Sequence, residues 1–178
     1  MLFAHDTEVA LMAAAALVNT EPDGTLETLD DLEAFVAEWG WTGSRRRTRA
    51  ELAAVQALRP RLRQVWHVDK DGAAGIVNTL LREASAVPQL VKHDVWDYHL
   101  HATRPEQPLA ERMAVEAAMA LVDVIRTDEL GRLRICAAGD CDNVLVDLSK
   151  NRSKRFCEAG CGNRMAVAAY RARRRSGG

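Results

Sequence analysis

Two close pairs of cysteines constrain this chain more than any other feature of its sequence. Cys136 and Cys141 form the first pair, Cys157 and Cys161 form the second, and these are the only cysteines among the 178 residues. A glycine lies between the members of each pair, where it lets the backbone turn tightly. Two such turns can bring four thiolates to about 2.3 Å from one metal ion. The spacing therefore predicts a small domain held together by a bound metal.

Other features of the sequence favour metal binding over disulfide bonds. The most apolar early stretch, residues 9–18, is too short to span a bilayer and follows acidic rather than basic residues. We therefore expect a soluble cytoplasmic protein with no membrane partner, in which paired cysteines bind metal. Four protein ligands leave no open coordination position, so we expect one structural Zn²⁺. Four reduced core cysteines are the alternative, but that interpretation explains neither the pairing nor the glycines.

The charge of the chain is distributed unevenly, which predicts two domains with different partners. The formal net charge is −1, yet residues 1–131 carry 13 basic against 21 acidic side chains, and residues 132–178 carry 11 against 4. A zinc ion with four thiolates has a formal charge of −2 and needs only one or two basic neighbours. The excess indicates a polyanionic partner for residues 132–178. Attraction between the acidic and basic domains is the plainer alternative.

Residues 1–131 are predicted to form a helical domain with one small β-hairpin. Alanine and leucine are abundant and only 5% of residues are aromatic, which favours helices over sheet. Polar and apolar residues alternate across 88–103, which is typical of a hairpin. Apolar residues recur at helical spacing in five other stretches: 6–19, 28–39, 48–66, 73–85 and 108–130.

Local signals predict where these helices begin and end. Residues 19–24 have turn chemistry, residues 69–72 interrupt a helical pattern, and Pro60 is expected to kink or split its helix. Two pairs of residues have the spacing of a capping box: Thr28 with Asp31, and Thr48 with Glu51.

Residues 132–178 are predicted to form a treble-clef-like or ribbon-like zinc finger. A short strand over 133–136 leads into the first cysteine pair, and a helix begins at or just after Cys161. The apolar residues of this segment, including Met165, Val167 and Tyr170, are expected to form a core too thin to fold without metal. The predicted fold class is thus mainly α with a small β-hairpin, a helical domain followed by a finger.

Three stretches near the C-terminus resemble a known family of fingers. They are the run Ser149–Cys157, the residues Cys161-Gly162-Asn163-Arg164, and the segment Ala169–Arg173. They resemble the CGNR zinc finger, which is named for the four residues that stand here at 161–164. Upstream, Leu17–Thr20 and Leu32–Gly40 resemble the ABATE domain that usually precedes such a finger. The resemblance implies a bacterial, stress-induced transcription regulator that binds zinc and DNA.

Basic side chains around the cysteines are the predicted nucleic-acid contacts. The helix would place Arg164, Arg171 and Arg175 on one face, because the last two follow Arg164 by seven and eleven residues. A helix cap is the alternative role for Asn163, and a solvated tail is the alternative for residues 171–175. The predicted contact set is Lys150, Arg152, Lys154, Arg155, Asn163, Arg164 and Arg171.

The helical domain offers weaker signals for a ligand. Four tryptophans, at positions 39, 41, 66 and 96, would line an aromatic pocket or, more ordinarily, fill the core. His99 and His101 lie on one strand face near His93 and Asp97, as a ligand or metal site or as ordinary strand histidines. The pattern yields no catalytic set, so we expect a protein that is not an enzyme.

These observations favour a DNA-binding transcription regulator whose helical domain senses a small molecule. An RNA-binding finger protein is one alternative. An enzyme or protein-interaction module in which zinc is only structural is another. The partner that we expect is duplex DNA, and the sequence leaves a homodimer open.

Overall fold

The computed structural model describes residues 3–93 and 96–176, and its architecture is mainly helical. Two antiparallel strand pairs accompany the helices, β1 (Gln89–His93) with β2 (Trp96–His101) and β3 (Leu133–Ile135) with β4 (Val144–Val146). This confirms the predicted fold class. No helix among the described residues combines the length and apolar character needed to cross a membrane. The helices are α1 (His5–Asp23), α2 (Leu29–Glu38), α3 (Arg49–Arg63), α4 (Lys70–Glu83), α5 (Leu109–Arg126) and α6 (Cys161–Ser176).

Side-chain caps begin three of these helices. At α2 the predicted capping box is complete, since Thr28 and Asp31 each accept a hydrogen bond from the backbone N–H of the other. At α3 only half of it forms: Thr48 accepts from Glu51, but the Glu51 carboxylate bonds the N–H groups of residues 46 and 47. Asp69 caps α4, so the interruption predicted at 69–72 is the start of a helix.

Helix α1 runs past residue 19, where the sequence predicted a turn. Pro22 lies in its last turn and has no N–H to donate to the carbonyl of Val18. The Arg63 guanidinium donates to that carbonyl instead, at 3.3 Å. The helix ends only at Gly24, whose φ of +61° is the left-handed conformation common after a helix.

Helix α3 is continuous through Pro60, so the predicted split does not occur. The carbonyl of Gln56, which would receive the missing N–H of residue 60, accepts the Arg59 side chain at 3.3 Å. An arginine thus compensates each helix proline.

The core lies where α1, α3, α4 and α5 meet, and the β3–β4 hairpin is part of it. Leu11, Val55 and Leu121 are fully buried in this cluster, and Val144 and Val146 of β4 pack in the same cluster. The finger is therefore joined to the helical domain through apolar contacts.

Hydrogen bonds reinforce that junction. The Asn19 amide on α1 bonds both backbone groups of Val144, at 2.8 and 2.9 Å, as a neighbouring strand would. The Trp66 indole N–H donates to the carbonyl of Leu145 at 3.0 Å. Trp66 therefore has a structural role and does not line a ligand pocket. The side chain of Trp96, another predicted pocket residue, lies outside the described residues.

Candidate metal centre and basic surface

The first cysteine pair lies in the connection between β3 and β4. Cys136 directly follows β3, and its N–H donates to the carbonyl of Asn143 at 2.8 Å. Cys141 closes the turn by donating its N–H to Ala138 at 3.1 Å. The strand pairing of the hairpin thus holds both thiols on one side of a short loop.

The second pair joins a turn to the start of α6. Cys157 lies in the turn and Cys161 is the first residue of α6, as the sequence predicted. Gly160 has a φ of +77°, a conformation that glycine adopts without strain. Gly139, in the first pair, has an ordinary φ and room for a Cβ atom, so neither its backbone conformation nor its immediate surroundings require a glycine.

The four thiols converge to a geometry that suits a tetrahedral metal ion. All four sulfur atoms lie within 4.8 Å of one another, and the Cys157 Sγ is 3.7 Å from the Sγ atoms of both Cys141 and Cys161. Bonds of about 2.3 Å to one ion would separate tetrahedral sulfurs by about 3.8 Å. Cys136, Cys157 and Cys161 are buried, and none of the four cysteines is in a disulfide. The cluster can hold one metal ion with no coordination position left over.

The protein environment acts on the thiols in opposite directions. Burial raises the pKa of Cys157 to about 12, so this thiol needs a cation before it ionises. Burial also disfavours the Cys136 thiolate, but hydrogen bonds from the N–H groups of Cys157 and Ala138 outweigh it and lower the pKa. A divalent metal would supply the positive charge that the buried cluster lacks.

Arg164 is part of the cysteine centre, so only the exposed part of its side chain is available for the predicted contact with nucleic acid. Its guanidinium donates to the Cys161 Sγ at 3.2 Å and forms a short ion pair with Asp140 in the first cysteine loop. It thereby ties the start of α6 to the β3–β4 loop across the sulfur cluster. Half of its side chain stays exposed. Asn163, beside it, forms no hydrogen bond with the described residues through its side chain, so the structure shows no capping role.

The buried carboxylate of Asp147 orders the basic tract, residues 149–155. No sequence pattern identified this residue. Asp147 is fully buried just after β4, and it accepts hydrogen bonds from the N–H and hydroxyl of Ser149 and from the N–H of Lys154. Burial alone would raise its pKa, but these bonds and the charge of Arg134 hold the pKa below its ordinary value. Asp147 therefore orders the loop that presents residues 149–155.

Replacing Asp147 by asparagine is expected to destabilise the protein by about 2 kcal/mol, because an amide NH₂ would face donors in a buried site. Urea unfolding at neutral pH measures the loss. Asp142→Asn is the matched control, since Asp142 is exposed. Equal stabilities of the two variants would contradict the role given to Asp147.

Three of the residues predicted to contact nucleic acid are exposed and form no salt bridge with the described residues. Lys150, Arg155 and Arg171 form no ion pair with a carboxylate of the described residues. The Arg155 guanidinium lies 5.9 Å from the centre of the Phe156 ring, which holds it beside the cysteine centre. These side chains can meet phosphate without first breaking a salt bridge.

Two others are already paired. Arg152 bonds Glu129 at 2.8 Å, and Lys154 bonds Glu158 at 2.5 Å. Both carboxylates offset part of the positive charge of the tract. Such partly exposed pairs contribute little to stability and exchange readily for another anion.

Helix α6 projects from the finger with little packing of its own. Every residue from Asn163 to Arg175 is exposed, including Met165 and Tyr170. The prediction that Met165, Val167 and Tyr170 form a core for the finger is therefore wrong, because no element of the described chain faces α6. The core of the finger is instead the buried sulfur cluster, with β4 packed on the helical domain.

A helical domain joined to a four-cysteine, treble-clef-like finger is the class of protein that this geometry defines. The family model of ABATE, described as "Putative stress-induced transcription regulator", matches residues 11–128. The chain belongs to this family. The CGNR zinc finger model matches residues 132–174. A search of curated proteins finds no match to the chain.

Proposed function

We propose that the chain is a DNA-binding transcription regulator whose finger carries one structural zinc ion. The observation that carries the proposal is the exposed basic α6, which begins at the sulfur cluster and lies beside the ordered basic tract. Cys136, Cys141, Cys157 and Cys161 hold the ion, and four protein ligands leave it no catalytic position. The proposal includes no enzymatic activity.

Duplex DNA is the partner that the shape of α6 favours. A free-standing helix of 16 residues fits the major groove, which is about 12 Å wide. Lys150, Arg155 and Arg171 contact phosphates, and Asn163 at the start of α6 reaches base edges. Arg152, Lys154 and the exposed part of Arg164 add contacts once their carboxylate partners give way.

The helical domain acts as the sensory part of the regulator. Helix α1 supports this role because Thr7 and Ala10 line a cavity while Asn19, further along the helix, bonds β4 of the finger. A ligand that shifts α1 would therefore move the element on which the finger rests.

Affinity for duplex DNA is expected to fall steeply with salt, with a slope of log K against log salt of about −4 to −5 for about five phosphate contacts. Replacing Lys150, Arg155 and Arg171 together by alanine should make the slope shallower by about 2.7, or about 0.9 for each lost contact. Fluorescence anisotropy with a labelled duplex across salt concentrations measures both.

The control carries three alanines at Arg61, Arg82 and Arg104, which are exposed on the helical domain. It removes the same charge and should leave the slope unchanged. Binding that ignores salt, or equal slopes for both triple variants, would refute the proposed surface. Tighter binding to a structured RNA than to the duplex would favour the RNA-binding alternative.

A further inference from the structure

A cavity of about 390 Å³ lies in the helical domain between α1, the α2–α3 connection, β2 and α5. All of its lining residues precede residue 127, so it is separate from the cysteine centre. Its volume falls in the range of about 300–1,000 Å³ that is usual for small-molecule sites. The chemistry of its wall indicates what it would bind.

Glu116 on α5 is a lining residue with no hydrogen-bond donor among the described residues. Arg112, one helical turn earlier, is the cation that attracts it. The Arg112 guanidinium, however, donates to the backbone carbonyls of Thr42, Ser44 and Gln107, and thereby holds the α2–α3 connection on α5. Glu116 therefore receives long-range attraction but no bond.

The Glu116 side chain is half-buried, and an unbonded carboxyl in such a position is costly to the fold. Burial raises the pKa of Glu116 to about 7, against the opposing charge of Arg112. A second acid of the wall differs: Asp123 accepts the hydroxyl of Thr7 at 2.9 Å. Glu116 is thus a carboxyl of this cavity that lacks an internal hydrogen-bond donor and whose pKa is raised, which is typical of a group that binds a ligand.

Aromatic side chains also line the cavity. Trp39 and Trp41, from the α2–α3 connection, and Tyr98, from β2, line the cavity. The buried indole N–H groups of both tryptophans find no acceptor among the described residues. Aromatic rings and a carboxylate in one cavity suit a cation that has an apolar body, because the ring faces and the carboxylate both attract positive charge. The Tyr98 ring already attracts such a charge, since the Lys92 Nζ lies 5.5 Å from its centre.

The remaining charges of the wall leave it net acidic. Asp6 and Asp123 add two carboxylates, and Arg126 is the lining guanidinium that opposes them. Arg126 lies ten residues after Glu116 on α5, about 15 Å along the helix, at the other end of the cavity. His99 and His101 approach through their Nε2 atoms at 2.9 Å, so the two facing nitrogens cannot both carry a proton.

We propose that this cavity binds an amphipathic organic cation, an amine with an aromatic body whose ammonium N–H groups bond the Glu116 carboxylate. The inference rests on the proposed sensory role of the helical domain and names the class of its ligand. A charge-assisted bond of this kind supplies the donor that Glu116 lacks and brings a positive charge into direct contact with its carboxylate.

The test uses three naphthalene probes of similar shape and different charge on the full, zinc-loaded chain at pH 8: 2-(1-naphthyl)ethylammonium, 2-(1-naphthyl)ethanol and 1-naphthylacetate. Calorimetric titration without nucleic acid should show the ammonium binding at least about tenfold tighter than the alcohol, since a charge-assisted hydrogen bond is roughly twice as strong as a neutral one. The acetate should bind most weakly.

Glu116→Gln should weaken the ammonium at least about tenfold and leave the alcohol nearly unchanged, because shape is kept and the charge is lost. Glu111→Gln, an exposed change on the same helix, should behave as the parent. The inference is overturned if the alcohol or acetate binds as tightly as the ammonium, if Glu116→Gln keeps the preference, or if none of the three binds at millimolar concentration. DNA binding is measured separately, so its failure would leave these results standing.

Discussion

Cys157→Ser is expected to abolish stoichiometric zinc binding and to unfold the metal centre locally. Its Sγ lies 3.7 Å from two of the other three sulfurs, and a serine hydroxyl is a poor ligand for zinc. Metal binding contributes about 10–16 kcal/mol to folding in isolated zinc-finger peptides, so this is the largest effect that we expect of any single change. The helical domain should remain folded, since its core does not include the cysteines.

Metal content and hydrogen exchange measure this result together. Amides of the two cysteine loops should lose protection, whereas β4 should keep part of its protection because Asn19 and Trp66 hold it from the helical domain. Ala159→Ser, an exposed change between Cys157 and Cys161, is the matched control and should retain the metal. A Cys157→Ser protein with a full complement of zinc would rule out the four-cysteine site.

Glu116 is expected to contribute about 3 kcal/mol of stability at pH 4.5 that is lost as the pH rises through about 7. The native state holds the Glu116 proton more tightly than the unfolded chain, whose ordinary pKa is 4.5 against about 7 in the fold. The stabilisation is therefore complete below the unfolded value and is lost as the pH rises through the folded value. The shift of the pKa corresponds to about 1.4 kcal/mol for each unit.

Glu116→Gln should remove this pH dependence and make the protein more stable than the parent at pH 8. Urea unfolding from pH 4.5 to 8, in a buffer without amines, measures the difference in the free energy of unfolding between the two proteins. Contributions of the neighbouring charged groups are the same in both proteins and cancel in this difference; these groups are Asp6, Asp123, Arg112, Arg126, His99 and His101. Glu111→Gln should follow the parent at every pH. Parallel curves for the parent and Glu116→Gln would contradict the burial argument. A variant that is more stable but binds the cation less would show that Glu116 is kept for binding.

Prediction from the sequence succeeded where the cause of a feature is local. The convergence of the four thiols and the start of α6 at Cys161 follow from residues that are near in the chain. The capping box of Thr28 and Asp31 is a three-residue pattern and forms as predicted. Each of these depends on backbone geometry within one or two turns.

Prediction failed where a distant residue changes the outcome. The turn expected at 19–24 is helix, because Arg63 satisfies the carbonyl that Pro22 leaves free. The apolar residues of α6 are exposed, although their pattern is that of a packed helix, because no other helix or strand of the described chain packs on them. The bonds of Arg164 to Asp140, 24 residues away, and to Cys161 likewise depend on the tertiary fold, and its contact with DNA stays a prediction.

The metal-binding chemistry and the basic character of the finger could thus be predicted from residue order alone, since ligand spacing and charge are properties of a short segment. Three other features depend on tertiary contacts between distant parts of the chain. They are the packing of β4 on α1 through Asn19 and Val144, the partial burial of Glu116 and the cavity beside it. Burial and hydrogen-bond satisfaction depend on which elements meet in space, and Asn19 and Val144 meet across 125 residues.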